Sequence, residues 1–261
     1  MNQPHVILLG SSYDPQRVVA SAAKLCYSSS DISSLVEKQT EDKTAAFIEM
    51  LADMGHESPI EHASFTFGIE NVSRALLAQI TRHRIASFSV QSQRYVRADQ
   101  FEYVTPPRIA ANPEALSVYE MAMSDLQKSY NRLAELLTED ELEKMDPALP
   151  LPDRRKKAEK AVLEDARFVL PNATATKMVL TMNARSLMNF FRHRCCNRAQ
   201  WEIHALADQM LALCRKAAPQ IFKNAGPSCY CRACPEGKMS CGKMTEVREK
   251  YKNLLPEDCG K

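Results

Sequence analysis

The chain has 261 residues and a net charge of +2, and its 45% hydrophobic and 25% charged residues are typical of a globular protein with a substantial core. So small a positive surplus argues against general nucleic-acid binding, which needs a strongly basic face, but leaves room for local pockets that bind small anions. No apolar run is long enough for a membrane span, and the sequence shows no signal peptide. We therefore expect a cytoplasmic protein whose nine cysteines are reduced thiols.

The N-terminal third predicts short strands alternating with helices. An apolar run predicts a strand over residues 5–9, and alternation of polar and apolar residues predicts a half-buried strand over 63–70. Helical spacing predicts helices over 18–27 and 44–54, and a third from a cap at Asn71 or Ser73 to about Arg84.

The clearest signal is a long amphipathic helix that follows Asn112 and Pro113, a cap and a proline at the first helical position. Its apolar residues recur in steps of three and four, which predicts one narrow face that packs in the core or against another subunit. These residues are Leu116, Tyr119, Met123, Leu126, Tyr130, Leu133 and Leu137.

Prolines break the chain after this helix, and three elements are predicted before a final helix. They are a helix over 153–168, a strand over 174–182 and a helix from its cap at Asn183 to about Arg194. The final amphipathic helix contains Ile203, Leu206 and Met210 and ends near residue 219. Helices interleaved with few strands predict an α+β fold.

Two Arg-His-Arg tripeptides, at 82–84 and 192–194, are the first candidates for chemistry. Both fall at the predicted C-terminal ends of helices, where cations are also favoured simply by the helix dipole. The segment 82–97, however, carries four arginines with serines and glutamines and no acidic residue. Guanidinium, hydroxyl and amide groups are the donors that a phosphate or a pyrimidine edge requires, so the segment predicts an anion pocket.

Several common site motifs are missing from the sequence. There is no Gly-x-Gly-x-x-Gly fingerprint and no phosphate-binding loop, so a dinucleotide would have to bind outside a Rossmann fold. There is also no His-Glu-x-x-His and no Gly-x-Ser-x-Gly, which removes support for zinc protease and serine hydrolase functions.

Three blocks, in order, resemble the flavin-dependent thymidylate synthases. The central block is Arg-His-Arg at 82–84, seven residues, and then Ser-Gln-Arg-Tyr at 92–95. A first block, GHESPIEH at 55–62, is followed by Phe-Thr-Phe at 65–67. A third block comprises residues 166–171, 183–187, 189–190, 194 and 199–202.

The resemblance implies a homotetramer of single-domain α+β subunits, each with an antiparallel sheet packed by helices, and active sites assembled from several chains. It implies conversion of dUMP to dTMP with methylenetetrahydrofolate as carbon donor and NADPH-reduced FAD as hydride source, without an enzyme nucleophile. The positions that match FAD contacts are His56, Ser58, Glu61, Arg82, His83, Arg84, Ile85, Asn183, Arg185 and Asn189. The positions that match dUMP contacts are Gln79, Arg82, Ser92, Gln93, Arg94, Arg167 and Arg194.

Among these residues, Arg194 is the predicted catalytic group, because its charge beside the pyrimidine would stabilise negative charge that develops on the uracil oxygens. Ser92 is predicted to be a binding hydroxyl, since no general base stands at a fixed spacing from it. Four positions depart from the family pattern: Ser89, Val90, His193 and Arg198.

The last segment is rich in cysteine, and we predict a main domain over 1–225 and a tail over 226–261. Four thiols, Cys229, Cys231, Cys234 and Cys241, lie within thirteen residues and suggest a structural site for zinc or another soft metal, and the alternative is a loose tail with free thiols. A rival hypothesis for the whole chain is a zinc module that binds nucleic acid, which predicts salt-sensitive binding and a colourless protein.

Overall fold

The structure is a computed structural model that describes residues 3–98 and 100–254. Its sheet has four strands in the order β1-β2-β4-β3, with β1 antiparallel to β2. The strands are β1 (His5–Ser11), β2 (Ser64–Ser73), β3 (Ser87–Val90) and β4 (Ala175–Asn183). The predicted α+β fold with an antiparallel sheet is confirmed, and the short strand β3 is an element that the sequence pattern does not predict.

The chain divides into two compact units. Unit 1 consists mainly of residues 71–78 and 90–177, and unit 2 of residues 4–70, 79–89 and the chain from 178 onward. Residues 226–254 of the predicted tail are part of unit 2, so no boundary between the units falls at residue 225. The rest of the predicted tail, 255–261, lies outside the described residues.

In unit 2, helices cover a sheet face whose apolar residues alternate as predicted. Phe65, Phe67 and Ile69 on β2 are buried, and the ring of Phe65 packs edge-on against Phe222 at 5.2 Å between centroids. The helices of this unit are α1 (Pro15–Leu25), α2 (Ile32–Glu37), α3 (Glu41–Asp53), α8 (Ala184–Arg194), α9 (Trp201–Ala217), α10 (Pro219–Phe222) and α11 (Met244–Asn253).

In unit 1, the predicted long helix is confirmed and packs against the helix that follows it. The side chains of Tyr130, Ala134, Leu163 and Ala166 form a buried cluster between the two helices. The Tyr130 hydroxyl accepts a hydrogen bond from the Ala98 amide at 3.2 Å. The helices beyond strand β3 in this unit are α5 (Pro107–Ala110), α6 (Pro113–Lys144) and α7 (Leu151–Ala166).

Two helix predictions need correction. The helix predicted to reach Arg84 is α4 (Arg74–Ile80), and two further turns carry the chain past it through bonds from Arg82 N to Gln79 O and from His83 N to Ile80 O. The helix that ends at Ala217 is not the final one, because α11 follows it. The sequence of α11 is mostly polar, so its two buried residues, Val247 and Tyr251, do not predict a helix.

Within the described ranges, every helix is too short or too polar to cross a membrane.

Candidate active site

The two Arg-His-Arg tripeptides meet in unit 2, although 110 positions separate them in the chain. The Arg194 Nε–H donates to Nε2 of His83 at 3.3 Å. The His83 ring also packs edge-on against Phe190 at 5.0 Å between centroids. Because Arg194 closes α8 and His83 follows the turns after α4, the fold brings together the ends of two helices that both carry predicted ligand contacts.

His83 is neutral at pH 7. Burial, followed by the charges of Arg194 and His193, lowers the pKa of His83 from 6.5 to about 4. Since Nε2 accepts the bond from Arg194, the ring proton belongs on Nδ1, a tautomer that this contact assigns. Burial and then repulsion from Arg82 likewise lower the pKa of Arg194, so these two guanidinium groups are close enough to repel each other.

Four charged side chains form a network beside the first block. Glu61 accepts a short hydrogen bond from Arg185, and Glu57 accepts one from Arg192. Arg185 Nε also lies 3.8 Å from Oε2 of Glu57, so the network is continuous. Two predicted flavin contacts, Glu61 and Arg185, are thus partners of each other. Glu57 and Arg192 were absent from the predicted set, although Arg185 and Arg192, two helical turns apart, share one face of α8.

A tight turn places His56 at the start of this block. Helix α3 ends at Asp53, and Gly55 adopts φ 69°, a left-handed conformation that favours glycine, so that the His56 amide bonds back to Leu51 O at 2.9 Å. Gly55 and His56 then line two cavities in unit 2. One, of about 720 Å³, is largely apolar and includes Phe47; the other, of about 470 Å³, includes Arg192 and residues of the tail.

The other predicted flavin contacts lie along α8 and the turn after α4. Asn183 caps α8, its Oδ1 accepting from the Ser186 amide at 2.8 Å, so the cap prediction is confirmed. Arg84 and Ile85 expose their side chains, Ile85 by 73%. The remaining two are Ser58, which precedes the 3₁₀ turn Pro59–His62, and Asn189, in the middle of α8.

The predicted dUMP contacts divide between the units. Gln79, Arg82 and Arg194 belong to unit 2, and the other four, Ser92, Gln93, Arg94 and Arg167, belong to unit 1.

In unit 1, Ser92 Oγ accepts from the Arg94 amide at 3.1 Å. Arg94 lies 3.8 Å from the Glu164 carboxylate, and Arg167 Nε donates to the Glu164 carbonyl at 3.2 Å.

Arg74 is a further arginine of unit 1, and it was not among the predicted site residues. It is only partly exposed, and burial followed by repulsion from Arg167 lowers its pKa. Because the guanidinium groups of Arg74 and Arg167 lie close together, both could bind the same anion. The only sequence signal was its place at the first turn of α4, directly after the cap at Ser73.

The structure does not gather the four predicted zinc ligands. Across residues 3–98 and 100–254, no three His, Cys, Asp or Glu side chains form a group that could hold a metal ion. Cys231 Sγ lies 3.6 Å from Asn224 O, near the charges of Arg215, Arg232 and Arg248. Burial and then the neighbouring thiols of Cys234, Cys196 and Cys241 raise the pKa of Cys229. All eight described cysteines are free.

The tail is nonetheless packed, and it accounts for one departure from the family pattern. Arg198 donates to the Glu236 carboxylate at 2.9 Å and to Met239 O at 3.0 Å, so in this chain its side chain holds the tail. The His193 ring bonds to the Asn189 carbonyl at 2.8 Å, within its own helix. Ser89 and Val90 end β3.

The comparisons with known proteins agree with one another. A family model described as "Thymidylate synthase complementing protein" matches residues 8–220. A flavin-dependent thymidylate synthase of Clostridium tetani is 51% identical over 246 residues, 94% of this chain and 96% of its own length. One of Geobacter sulfurreducens is 46% identical over 251 residues, 95% and 98% of the two chains.

A solved structure shows the same fold: the UMP/dUMP methylase PolB from Streptomyces cacaoi, bound with 5-Br dUMP. Its TM-score is 0.63 at 22% identity, over 85% of this chain and 94% of that one. The family model covers most of the chain and the relatives match almost end to end. The chain is therefore an enzyme that belongs to the flavin-dependent thymidylate synthases.

Proposed function

We propose that the chain converts dUMP to dTMP, with methylenetetrahydrofolate as carbon donor, NADPH as reductant and FAD as the bound flavin. The reaction class is supported by the membership of the chain in the family. The observation in the structure that supports it best is the contact between His83 and Arg194, because it joins the flavin-binding block to the predicted catalytic group.

The residues of unit 2 fit FAD. Its pyrophosphate needs cationic donors, which Arg82, Arg84 and Arg185 supply, and the first two are exposed. Its ribose and ribityl hydroxyls need acceptors such as Glu61, and the polar edge of its ring system needs neutral donors. The neutral His83, with its proton on Nδ1, is such a donor.

The arginines of unit 1 fit a nucleotide monophosphate. We assign the phosphate of dUMP to Arg94 and Arg167, whose guanidinium groups can bind phosphate oxygens bidentately. Both contact Glu164, Arg94 at the carboxylate and Arg167 at the backbone carbonyl. Arg74 adds positive charge next to Arg167.

Bound FAD, once reduced by NADPH, would supply the hydride for the transferred carbon unit. The protein's own share is to orient dUMP and to stabilise charge. Arg194 is held by His83 and repelled by Arg82, so an anionic uracil oxygen would relieve that repulsion as its charge develops. Ser92 Oγ accepts one hydrogen bond, from the Arg94 amide, and no base among the described residues is hydrogen-bonded to it, so it serves as a binding hydroxyl.

The test is turnover of the purified chain with dUMP, methylenetetrahydrofolate and NADPH, with FAD present or stripped. We expect dTMP only when FAD is present, and an intact mass of the quenched enzyme that shows no pyrimidine adduct. Formation of dTMP by the flavin-free chain, or an adduct mapped to Ser92 or to a cysteine, would contradict the proposal.

A further inference from the structure

The backbone directly after Arg194 is held by side chains from the C-terminal part of the chain. Tyr251 on α11 is fully buried, and its hydroxyl lies 2.8 Å from the Cys195 carbonyl and 2.5 Å from Oδ1 of Asp208. A hydroxyl has one proton, which these two acceptors share in a three-centre bond. Cys195 is the cap of α8, so its carbonyl is one of those that a helix end leaves without a partner.

The next carbonyl along the chain is held in the same way. Nδ1 of His204 on α9 donates to the Cys196 carbonyl at 3.0 Å. The other ring nitrogen of His204, Nε2, lies 3.1 Å from Lys250 Nζ and 3.3 Å from Oδ2 of Asp208, and Lys250 also donates to Oδ2 of Asp208 at 2.6 Å. Two consecutive carbonyls after the predicted catalytic arginine are thus fixed by one connected network.

Asp208 is the centre of this network. Its carboxylate is largely buried, and burial opposes its charge, but hydrogen bonds from His204, Lys250 and Tyr251 outweigh burial and lower the pKa of Asp208. Burial strongly raises the pKa of Tyr251, so its hydroxyl keeps the proton it donates. The network is therefore a charged carboxylate with its donors in place at neutral pH.

We propose that Tyr251 and Asp208 are positioning residues for Arg194: they fix the turn at 195–196 and thereby the direction from which the Arg194 guanidinium meets its target. This inference rests on the proposed function of Arg194. Because a misplacement of about 1 Å at a reacting centre can cost a hundredfold in rate, the anchoring of this turn bears directly on turnover. The family model ends at residue 220, so it does not cover the part of the network on α11.

Other contacts also join the tail to the rest of unit 2. Arg215 donates to the Tyr251 carbonyl, and Arg198 donates to the Glu236 carboxylate and the Met239 carbonyl. Removal of the Tyr251 hydroxyl alone leaves these bonds and the buried ring in place. A change in turnover after that removal would therefore report on the turn after Arg194.

The experiment compares Tyr251→Phe with Tyr230→Phe. Tyr230 is a second tyrosine of the tail, and its ring contacts Arg215 and Tyr251. We expect Tyr251→Phe to lower kcat about fivefold, the factor that corresponds to a hydrogen bond of about 1 kcal/mol. KM for dUMP and FAD occupancy should stay equal to those of Tyr230→Phe, because the loss falls on transition-state stabilisation, and the unfolding midpoint should be lower because a buried hydrogen bond is lost.

A double variant tests whether the effect passes through Arg194. In an Arg194→Lys background, where the guanidinium is absent, Tyr251→Phe should cause little further loss of kcat. Equal kcat in the two tyrosine variants would overturn the inference, as would a higher KM or lost FAD at unchanged kcat, or a full fivefold loss in the Arg194→Lys background. Those results leave the proposed function standing. Absence of dTMP formation by the unmodified chain, in contrast, would overturn the proposed function and this inference with it.

Discussion

At the scale of single residues, the candidate site contains a partly buried neutral histidine and exposed arginines that are paired with carboxylates. His83 stays neutral because burial, followed by the charges of Arg194 and His193, lowers its pKa. Arg94 and Arg185, in contrast, are about half exposed and bonded to carboxylates that a phosphate can replace. Arginines at accessible positions are therefore the ones expected to change partner when a nucleotide or flavin binds.

Arg94→Ala should weaken dUMP binding by about ten- to a hundredfold, the effect of losing a charged hydrogen bond worth about 1.5–3 kcal/mol. FAD binding should change little, because the predicted FAD contacts all belong to unit 2. Titration of each ligand by fluorescence or calorimetry measures both constants. The matched control is Arg155→Ala, an exposed arginine on α7 that pairs with Glu159 at 3.3 Å. Equal weakening of dUMP and FAD by Arg94→Ala would show the assignment to be wrong.

His83 should make the protein less stable in acid. Unfolded, it takes up a proton as the pH falls through about 6.5, whereas in the folded chain it does so only near pH 4. Between these values the unfolded state binds more protons, so the free energy of unfolding falls as the pH falls. In His83→Gln this contribution is absent. Urea unfolding at pH 7 and pH 5 should show a larger loss of stability for the unmodified chain, and equal losses would refute the shifted pKa.

At the scale of elements, periodicity predicted the helices and strands whose burial is regular. β2, α6 and α8 lie close to their predicted ranges because alternation, a proline cap and an asparagine cap are local signals. β3 and α11 were missed for a physical reason. β3 has only four residues, and α11 has a polar sequence whose two buried residues gain their contacts from distant parts of the chain.

The candidate site was predictable to a similar extent. The motif blocks named residues that the fold does bring together, such as His83 with Arg194 and Glu61 with Arg185. Single positions without a motif, such as Arg74, were not found, because proximity in space leaves no local pattern. The zinc site that the cysteine spacing suggested stays a prediction: within the described residues no three possible ligands form a group that could hold a metal ion, and Cys231 Sγ contacts Asn224 O.

The cap of α8 offers a prediction at this scale. Asn183→Ala should lower the free energy of unfolding by about 1 kcal/mol, because the bond to the Ser186 amide is lost. Asn183→Asp keeps a capping oxygen and should restore stability. It should still bind FAD more weakly, since a carboxylate replaces the amide donor. Chemical denaturation and FAD titration measure the two effects. Normal FAD affinity in Asn183→Asp would show that Asn183 serves only as a helix cap and does not bind FAD.

At the scale of the whole molecule, the proposed homotetramer with shared active sites remains a prediction. It is supported by exposed side chains in the predicted flavin set, among them Ile85 at 73% exposure, which a second chain could cover. Light scattering should give four times the chain mass of 29.4 kDa. Mixed oligomers of Arg94→Ala and Arg185→Ala should be more active than either variant alone, because some sites would then combine two unaltered halves. A monomeric mass, or no regained activity in the mixture, would argue against shared sites.

The central claim is that the chain carries a flavin that NADPH reduces on the way to dTMP. The most direct measurement is the visible absorption spectrum of the purified protein, recorded without oxygen before and after NADPH and then after dUMP and methylenetetrahydrofolate are added. We predict a flavin spectrum that NADPH bleaches and that returns, with formation of dTMP, when the two substrates follow. A protein that binds no FAD, or whose flavin returns to its oxidised spectrum without dTMP, would contradict the account.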